Sequence, residues 1–245
     1  MNLIFDMDDT LYDQMEPFGH AYNDVFGAQA QYEVPVERLF VKSRLHSDVV
    51  FDQVQNGLMS DDEMHVYRIT HAFADFGIAI SVEQALAFQE RYAFHQQYLE
   101  VHPFMKELLD YGQQHGLRMG IITNGPAEHQ AAKVKQLGME RWIAPEDIFI
   151  SGKIGIAKPH TAIFRYVEQQ MQIVPADTWY FGDAYANDVV GAKRAGWHCV
   201  WINRRQIPLP ENAPYVPDAN LDKTEHPLDL VRHIIEQGNS SASTT

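Results

Sequence analysis

The chain has 245 residues, 45% of them hydrophobic, and its 19 basic and 33 acidic residues give a formal net charge of −14. This length fits one large α/β domain or a core with a smaller insert, and the hydrophobic content excludes a disordered or collagenous chain. The negative charge disfavours a nucleic acid polymer or an anionic membrane as partner. With no long apolar run and no leader pattern, we expect a cytoplasmic protein. The single cysteine, Cys199, lies in the apolar run HCVWIN, where we expect a buried thiol.

Short apolar runs alternate with helical patterns along most of the chain. The expected strands are 3–5, 117–123, 148–151, 178–183 and 199–203. The expected helices are 103–116, 126–138, 161–171, 186–196 and 227–237. Strands that are apolar on both faces and alternate with helices are typical of a doubly wound parallel sheet. The sequence therefore predicts a Rossmann-like α/β core.

The stretch 15–95 has helical periodicity and no convincing strand. It separates the first two expected strands by far more than the usual connection of about 2–6 residues. We therefore expect an all-helical cap inserted after the first strand, with the core formed by 1–14 and 96–237. The polar, proline-rich segment 204–226 is expected to be a long connection, and 238–245 a disordered tail.

Polar side chains follow several expected strands, at the edge where open α/β sheets bind ligands. They are Asp6, Asp8 and Thr10 after the first strand, Thr123, Asn124 and Gly125 after the second, Lys158 before a helix, and Asp183 and Asp188 after the fourth. Any one of these residues is equally well explained by a helix cap or a turn. The whole set at successive strand ends indicates one shared crevice.

Carboxylates packed together repel one another, and their pKa values rise unless positive charge is supplied. A hard divalent ion supplies it, and Mg²⁺ suits one or two carboxylates with waters and a phosphate. Lys158 would add a second positive charge, and the N–H groups of Gly125 and Asp8 are expected to cradle phosphate oxygens. Because Asp6 and Asp8 lie two residues apart, one can be a nucleophile that forms an aspartyl-phosphate while the other transfers protons.

Four motifs in this order resemble the motif series of the haloacid dehalogenase-like (HAD) superfamily. They are DMDDT (6–10), ITN (122–124), KP (158–159) and GDAYAND (182–188). The likeness covers residues 2 to about 203. Within the superfamily, the sequence is most similar to the nucleotidase-like phosphatase branch with helical (C1-type) caps. It implies that the insert is such a cap.

The resemblance also implies a role for each motif residue. Asp6 would be the nucleophile and a Mg²⁺ ligand, and Asp8 the general acid/base with its carbonyl on the metal. Thr123 and Asn124 would hold the transferring phosphate, with Gly125 beside them, and Lys158 would orient it. Asp183 would bind the metal, Asp188 would hold a metal-bound water or Lys158, and Thr10 would support the Asp8 loop.

An acid at position 8 favours phosphate chemistry over carbon–halogen cleavage, because a leaving halide needs no proton. The sequence thus predicts a Mg²⁺-dependent phosphomonoesterase that acts on a small phosphorylated metabolite, with nucleoside monophosphates among the candidates. Substrate choice is expected to lie with the cap, where Arg44 and His46 are candidate contacts. Two alternatives stay open: a phosphomutase on the same fold, and a receiver-like phosphate-binding regulator, which the long insert disfavours.

Overall fold

The structure is a computed structural model that describes residues 1–242, and it divides into two compact units. Unit 1 contains Met1–Asp13 and the chain from Glu100 onward, and unit 2 contains Gln14–Leu99. The two units differ in architecture, since unit 1 is built on a sheet and unit 2 on helices.

Unit 1 contains a six-stranded parallel sheet. Its strands are β1 (Asn2–Phe5), β2 (Arg118–Thr123), β3 (Ile148–Ile150), β4 (Thr178–Gly182), β5 (His198–Ile202) and β6 (Ala219–Leu221). The spatial order is β3-β2-β1-β4-β5-β6, and Phe5 of the central β1 is in register with Ile121 and with Phe181. The predicted doubly wound parallel sheet is confirmed. In this order the direction of winding reverses at β1, the place where ligands bind in such sheets.

Unit 2, residues 14–99, is built from helices joined by turns and irregular segments, and none of these residues, all of which are described, forms a strand. Its helices are α1 (Met15–Val25), α2 (Val36–Gln55), α3 (Asp61–Ala74) and α4 (Val82–His95). α3 and α4 each begin at a capping box, in which a serine and the residue three positions later satisfy each other's backbone N–H groups. Aromatic rings fill the interior of unit 2, with Phe18 against Phe88 and Phe26 against Phe73.

The helices of unit 1 cover the sheet. They are α5 (Pro103–Gln114), α6 (Ala127–Gln136), α7 (Ser151–Ile154), α8 (Thr161–Met171), α9 (Val190–Arg194) and α10 (Pro227–Ala242). A five-residue π-helical turn, Tyr185–Val189, precedes α9. No helix among residues 1–242 combines the length and the apolar content needed to cross a membrane.

Three local features differ from the sequence-based expectations. Ser151 begins the short α7 instead of ending a strand. The expected connection 204–226 contains β6, which pairs with β5 although its three residues are too few to produce a periodic pattern. The last helix continues to Ala242, into the segment expected to be a disordered tail, and residues 243–245 lie outside the described part of the chain.

The core between the sheet and α8 supports the site described below. Phe164 is fully buried, and its ring contacts Trp197 edge-on with the centroids 5.2 Å apart and Tyr180 with the centroids 5.7 Å apart. A Cβ on Gly191 would lie 2.7 Å from the Phe164 ring, so α8 and α9 approach closely at this glycine. Cys199 is buried in the same cluster, as predicted from the sequence.

The Phe164→Ala substitution is expected to lower the free energy of unfolding by about 3–5 kcal/mol, because it leaves a cavity in a tightly packed core. Urea unfolding followed by tryptophan fluorescence measures the change. Gln170→Ala, at an exposed position of the same helix, is the matched control, with an expected change within about 0.5 kcal/mol. A loss for Phe164→Ala as small as that of the control would contradict the packing described here.

Candidate active site

The ammonium group of Lys158 lies at the centre of a buried polar cluster beyond the ends of β1 and β4. Its Nζ donates hydrogen bonds to Asp6 Oδ1 at 2.6 Å, to Asp188 Oδ1 at 2.7 Å and to the Tyr180 hydroxyl at 2.8 Å. The Lys158 side chain is 2% exposed. Lys158 is therefore an interior residue with its three donor directions used, which distinguishes it from a surface lysine.

The charges in this cluster shift one another's pKa values. Desolvation by burial raises the pKa of Asp6 to about 7, against the attraction of Lys158 and with the repulsion of Asp188 and Asp8. Burial alone would lower the pKa of Lys158, but the Asp188 and Asp6 carboxylates outweigh it and raise the pKa above its ordinary value. Burial, followed by the same two carboxylates, raises the pKa of Tyr180, which keeps its phenol neutral.

Three carboxylates of the cluster are close enough to share a cation. Asp6, Asp183 and Asp188 each offer an oxygen, and these oxygens lie within 4.8 Å of one another. Three carboxylates and the Lys158 ammonium carry a formal net charge of −2. All three donors are carboxylate oxygens, their negative charge exceeds the positive charge of Lys158, and the pKa of Asp6 is raised. Such a set fits a hard divalent ion such as Mg²⁺.

Asp188 is fixed by the turn that follows β4. Its Oδ2 accepts a hydrogen bond from the Ala184 N–H at 2.9 Å, and its Oδ1 accepts from Lys158. The carboxylate lies directly on Gly182, where a Cβ would collide with it. The π-helical turn and the glycine together bring Asp188 back over the end of the strand.

Asn124 and Gly125 have hydrogen bonds other than those expected from the sequence. Asn124 Oδ1 accepts from the Lys158 N–H, and Asn124 Nδ2 donates to the Lys158 carbonyl, both at 2.9 Å. The Gly125 N–H, expected to cradle phosphate, donates instead to Ser151 Oγ at 3.0 Å. Gly125 has φ +143, and a Cβ there would lie 2.5 Å from Gln130 Nε2. In this structure these residues fix the backbone of Lys158 and the loop after β2.

Two threonine hydroxyls of the predicted site have no hydrogen-bond partner among the described residues. Thr123 Oγ1 and Thr10 Oγ1 are both buried. A buried polar atom without a partner costs free energy, so such an atom in a native site points to a ligand. Thr123 is the last residue of β2, which pairs with β1, the strand that Asp6 follows. At this place its hydroxyl is suited to a phosphate oxygen.

Asp8 has a different set of partners from Asp6. Lys133 Nζ donates to its Oδ1 at 2.7 Å and its Oδ2 at 3.0 Å, Tyr12 donates to Oδ1 at 2.5 Å, and Gln130 Nε2 donates to Oδ2 at 3.1 Å. Sequence reasoning missed Lys133 and Gln130. Their spacing of three residues on α6 was the available signal, because such residues share a helix face.

Sequence reasoning also missed the arginines that hold the loop after β1. Arg205 donates to both carboxylate oxygens of Asp9, at 2.9 and 3.2 Å, and to Asp13 Oδ1 at 2.8 Å. Arg204 donates to the carbonyls of Asp9 at 3.2 Å and Thr10 at 2.9 Å. Asp9 has φ +59, a left-handed conformation that a non-glycine residue adopts at some cost. The two arginines stabilise this turn and, with it, the position of Asp8.

The two candidates in unit 2 lie on α2. His46 Nε2 lies 3.2 Å from Asp75 Oδ2, which also contacts Lys42 Nζ at 3.1 Å. Arg44 is half-buried two residues before His46. Their contact with a substrate stays a prediction.

Known proteins are similar to this chain in sequence and in fold. A family model described as haloacid dehalogenase-like hydrolase matches residues 1–196. The glyceraldehyde 3-phosphate phosphatase of Methanopyrus kandleri is 27% identical over 236 residues, which cover 95% of this chain and 97% of the relative.

Two solved structures share the fold. The HAD-hydrolase YfnB from Bacillus subtilis, bound to magnesium, has a TM-score of 0.68 at 24% identity over 95% of this chain and 97% of its own. A dehalogenase with an intermediate complex has a TM-score of 0.70 at 18% identity over 91% and 92%. At these identities the likeness concerns the fold alone.

Addition of Mg²⁺ is expected to raise the thermal unfolding midpoint, because an ion that binds the folded state stabilises it. The gain is about 2.7 kcal/mol at 100 times the dissociation constant. Asp183→Asn should remove most of this shift in scanning calorimetry, since it withdraws one of three carboxylates. Glu211→Gln, at an exposed acid of unit 1, is the control and should retain the shift. An equal shift in both variants would contradict the assigned ion site.

Proposed function

This chain belongs to the haloacid dehalogenase-like hydrolase family and is a hydrolase of phosphate esters, and we propose that it cleaves small phosphomonoesters through an aspartyl-phosphate on Asp6, with Mg²⁺ as cofactor. The family assignment rests on a match to most of the chain. The observation that carries the proposal is the pair Asp6 and Asp8, two carboxylates two residues apart with separate cationic partners, Lys158 and Lys133.

The environment of each carboxylate suits one role. Asp6 is buried beside Lys158 and the other two acids, so it is suited to attack phosphorus from a fixed position. Asp8 is more exposed, with 18% of its side chain accessible, so it can exchange a proton with a leaving group or with water. A leaving alkoxide needs a proton whereas a leaving halide does not, and Asp8 therefore supports ester cleavage over carbon–halogen cleavage.

In the first half-reaction an Asp6 oxygen attacks the phosphorus, and the bond from phosphorus to the ester oxygen breaks. The proton of Asp8 passes to the departing alkoxide. In the second half-reaction water attacks the phosphorus and gives a proton to Asp8, and the bond from phosphorus to Asp6 breaks. Inorganic phosphate leaves and both carboxyl groups return to their starting states.

The other residues of the cluster position these two acids. Lys158 holds one oxygen of Asp6, and Asn124 fixes the Lys158 backbone. Mg²⁺, when bound to Asp6 and Asp183 with Asp188 beside them, supplies positive charge that stabilises the phosphoryl oxygens. The Thr123 hydroxyl is the proposed hydrogen-bond donor to one of those oxygens.

The proposed substrates are small phosphorylated metabolites. Support comes from a relative that acts, by its name, on glyceraldehyde 3-phosphate. Nucleoside monophosphates stay a prediction from the sequence, as does substrate selection by Arg44 and His46.

Release of inorganic phosphate from a panel of esters tests the activity. The panel comprises glyceraldehyde 3-phosphate, phosphoglycolate, sugar phosphates, nucleoside monophosphates and an aryl phosphate, each with and without Mg²⁺. Asp6→Asn should abolish release, because an amide is a poor nucleophile, and Asp8→Asn should reduce it by about 10²–10⁴. Isomerised ester without free phosphate would identify a phosphomutase. No turnover of any ester, or full activity in Asp6→Asn, would refute the proposal.

The Thr123→Val substitution distinguishes a role of the hydroxyl in phosphate binding from a role in the stability of the fold. Valine has the same shape, and the lost hydroxyl has no protein partner, so the free energy of unfolding should stay the same or rise. The value of kcat/KM should fall by about 10- to 100-fold, the worth of a hydrogen bond to a charged group. Steady-state kinetics and urea unfolding of the same preparation give both numbers. Unchanged kcat/KM would exclude the hydroxyl from phosphate binding.

A further inference from the structure

The carboxylate of Asp8 is enclosed by donors that lie outside the four sequence motifs. Lys133 Nζ contacts both of its oxygens, Tyr12 donates to Oδ1 and Gln130 donates to Oδ2. A single hydrogen bond leaves a carboxylate free to rotate about χ2, whereas contacts to both oxygens fix its plane. The orientation of Asp8 therefore depends on α6.

Lys133 differs from an ordinary surface lysine. Its side chain is 6% exposed, while Lys135 two residues later on α6 is exposed. Burial of an ammonium group is costly unless it is paired and hydrogen-bonded, and the contact with Asp8 supplies the pairing. Gln130 is also buried, and its Nε2 donates to the Asn124 carbonyl at 2.9 Å. This links the Asp8 contacts to the loop after β2.

We propose that Lys133 is a positioning residue that holds Asp8 as an oriented proton acceptor for hydrolysis of the aspartyl-phosphate. All the contacts named above donate hydrogen bonds to the carboxylate oxygens, so they fix the direction in which Asp8 presents these oxygens. A fixed direction is needed when water attacks phosphorus, since one proton of the water passes to Asp8 while the bond from phosphorus to Asp6 breaks. The inference rests on the proposed phosphatase function.

An aryl phosphate isolates this step. Nitrophenolate leaves phosphorus with little help from an acid, so formation of the phosphoenzyme from p-nitrophenyl phosphate depends weakly on Asp8, and its hydrolysis depends strongly on it. Lys133→Met should therefore lower kcat by about tenfold or more. KM should fall by a similar factor, so that kcat/KM changes by less than about threefold. A burst of nitrophenol that approaches one equivalent per active site should precede the slow steady state.

Lys135→Met is the matched control, because it removes a lysine from the same helix without touching Asp8, and its kinetics should match the wild type. Tyr12→Phe removes one hydrogen bond to Asp8 without removing a charge. It should lower kcat by about threefold at constant kcat/KM. If Lys133→Met does not fold, this variant tests whether the contacts to Asp8 support hydrolysis of the aspartyl-phosphate.

The outcomes separate this inference from the proposed function. A wild-type protein that releases no phosphate from any ester with Mg²⁺ would overturn the phosphatase proposal itself. An active wild type whose Lys133→Met variant keeps its kcat, or loses kcat and kcat/KM equally without a burst, would overturn the role of Lys133 alone. A fall in kcat with the burst and a preserved kcat/KM would support it.

Discussion

The buried ammonium of Lys158 is the interaction on which the rest of the site depends, because it allows several carboxylates to lie together away from water. Asp6 and Asp188 both bond to it, and Asn124 fixes its backbone. Breaking such a buried pair by removing one partner is costly, since it leaves an uncompensated charge in the interior. The charge that remains around Lys158 is negative, which makes the same place suitable for a divalent cation, and a bound cation would in turn attract a phosphate ester.

The parallel sheet explains how residues far apart in sequence reach this ammonium group. Asp6 follows β1, and its N–H donates to the Phe181 carbonyl of β4 at 2.8 Å, so the end of the first strand is fixed against the strand that leads to Asp188. Lys158 lies in the segment just before α8, and α8 packs on the same sheet. Asp8 lies just beyond, with its own cation, Lys133, so the two acids have distinct surroundings and can take distinct roles.

Much of this could be predicted from the sequence, because the signals are local. Apolar runs that end in polar residues indicate buried strands with ligand-binding ends, and Asp6 and Asp188 follow from that pattern, whereas Lys158 follows from its place just before a helix. Tyr180 and Lys133 could not be identified in this way. In the sequence, Tyr180 does not differ from the other large residues of an apolar strand, and Lys133 does not differ from the other charged residues of a helix. Each acquires a role only through the strand or helix packed beside it, which a single sequence does not reveal.

The measurement that tests the central claim most directly is the location of the phosphoryl group during turnover. The enzyme would be mixed with Mg²⁺ and an ester that it hydrolyses, and the reaction would be quenched with acid during turnover. Peptide mapping in a mass spectrometer would then identify the modified residue. The account predicts phosphorylation of Asp6, present in the wild type and absent from Asp6→Asn. Phosphate release with an unmodified Asp6, or a phosphoryl group on Asp8 or another residue, would contradict it.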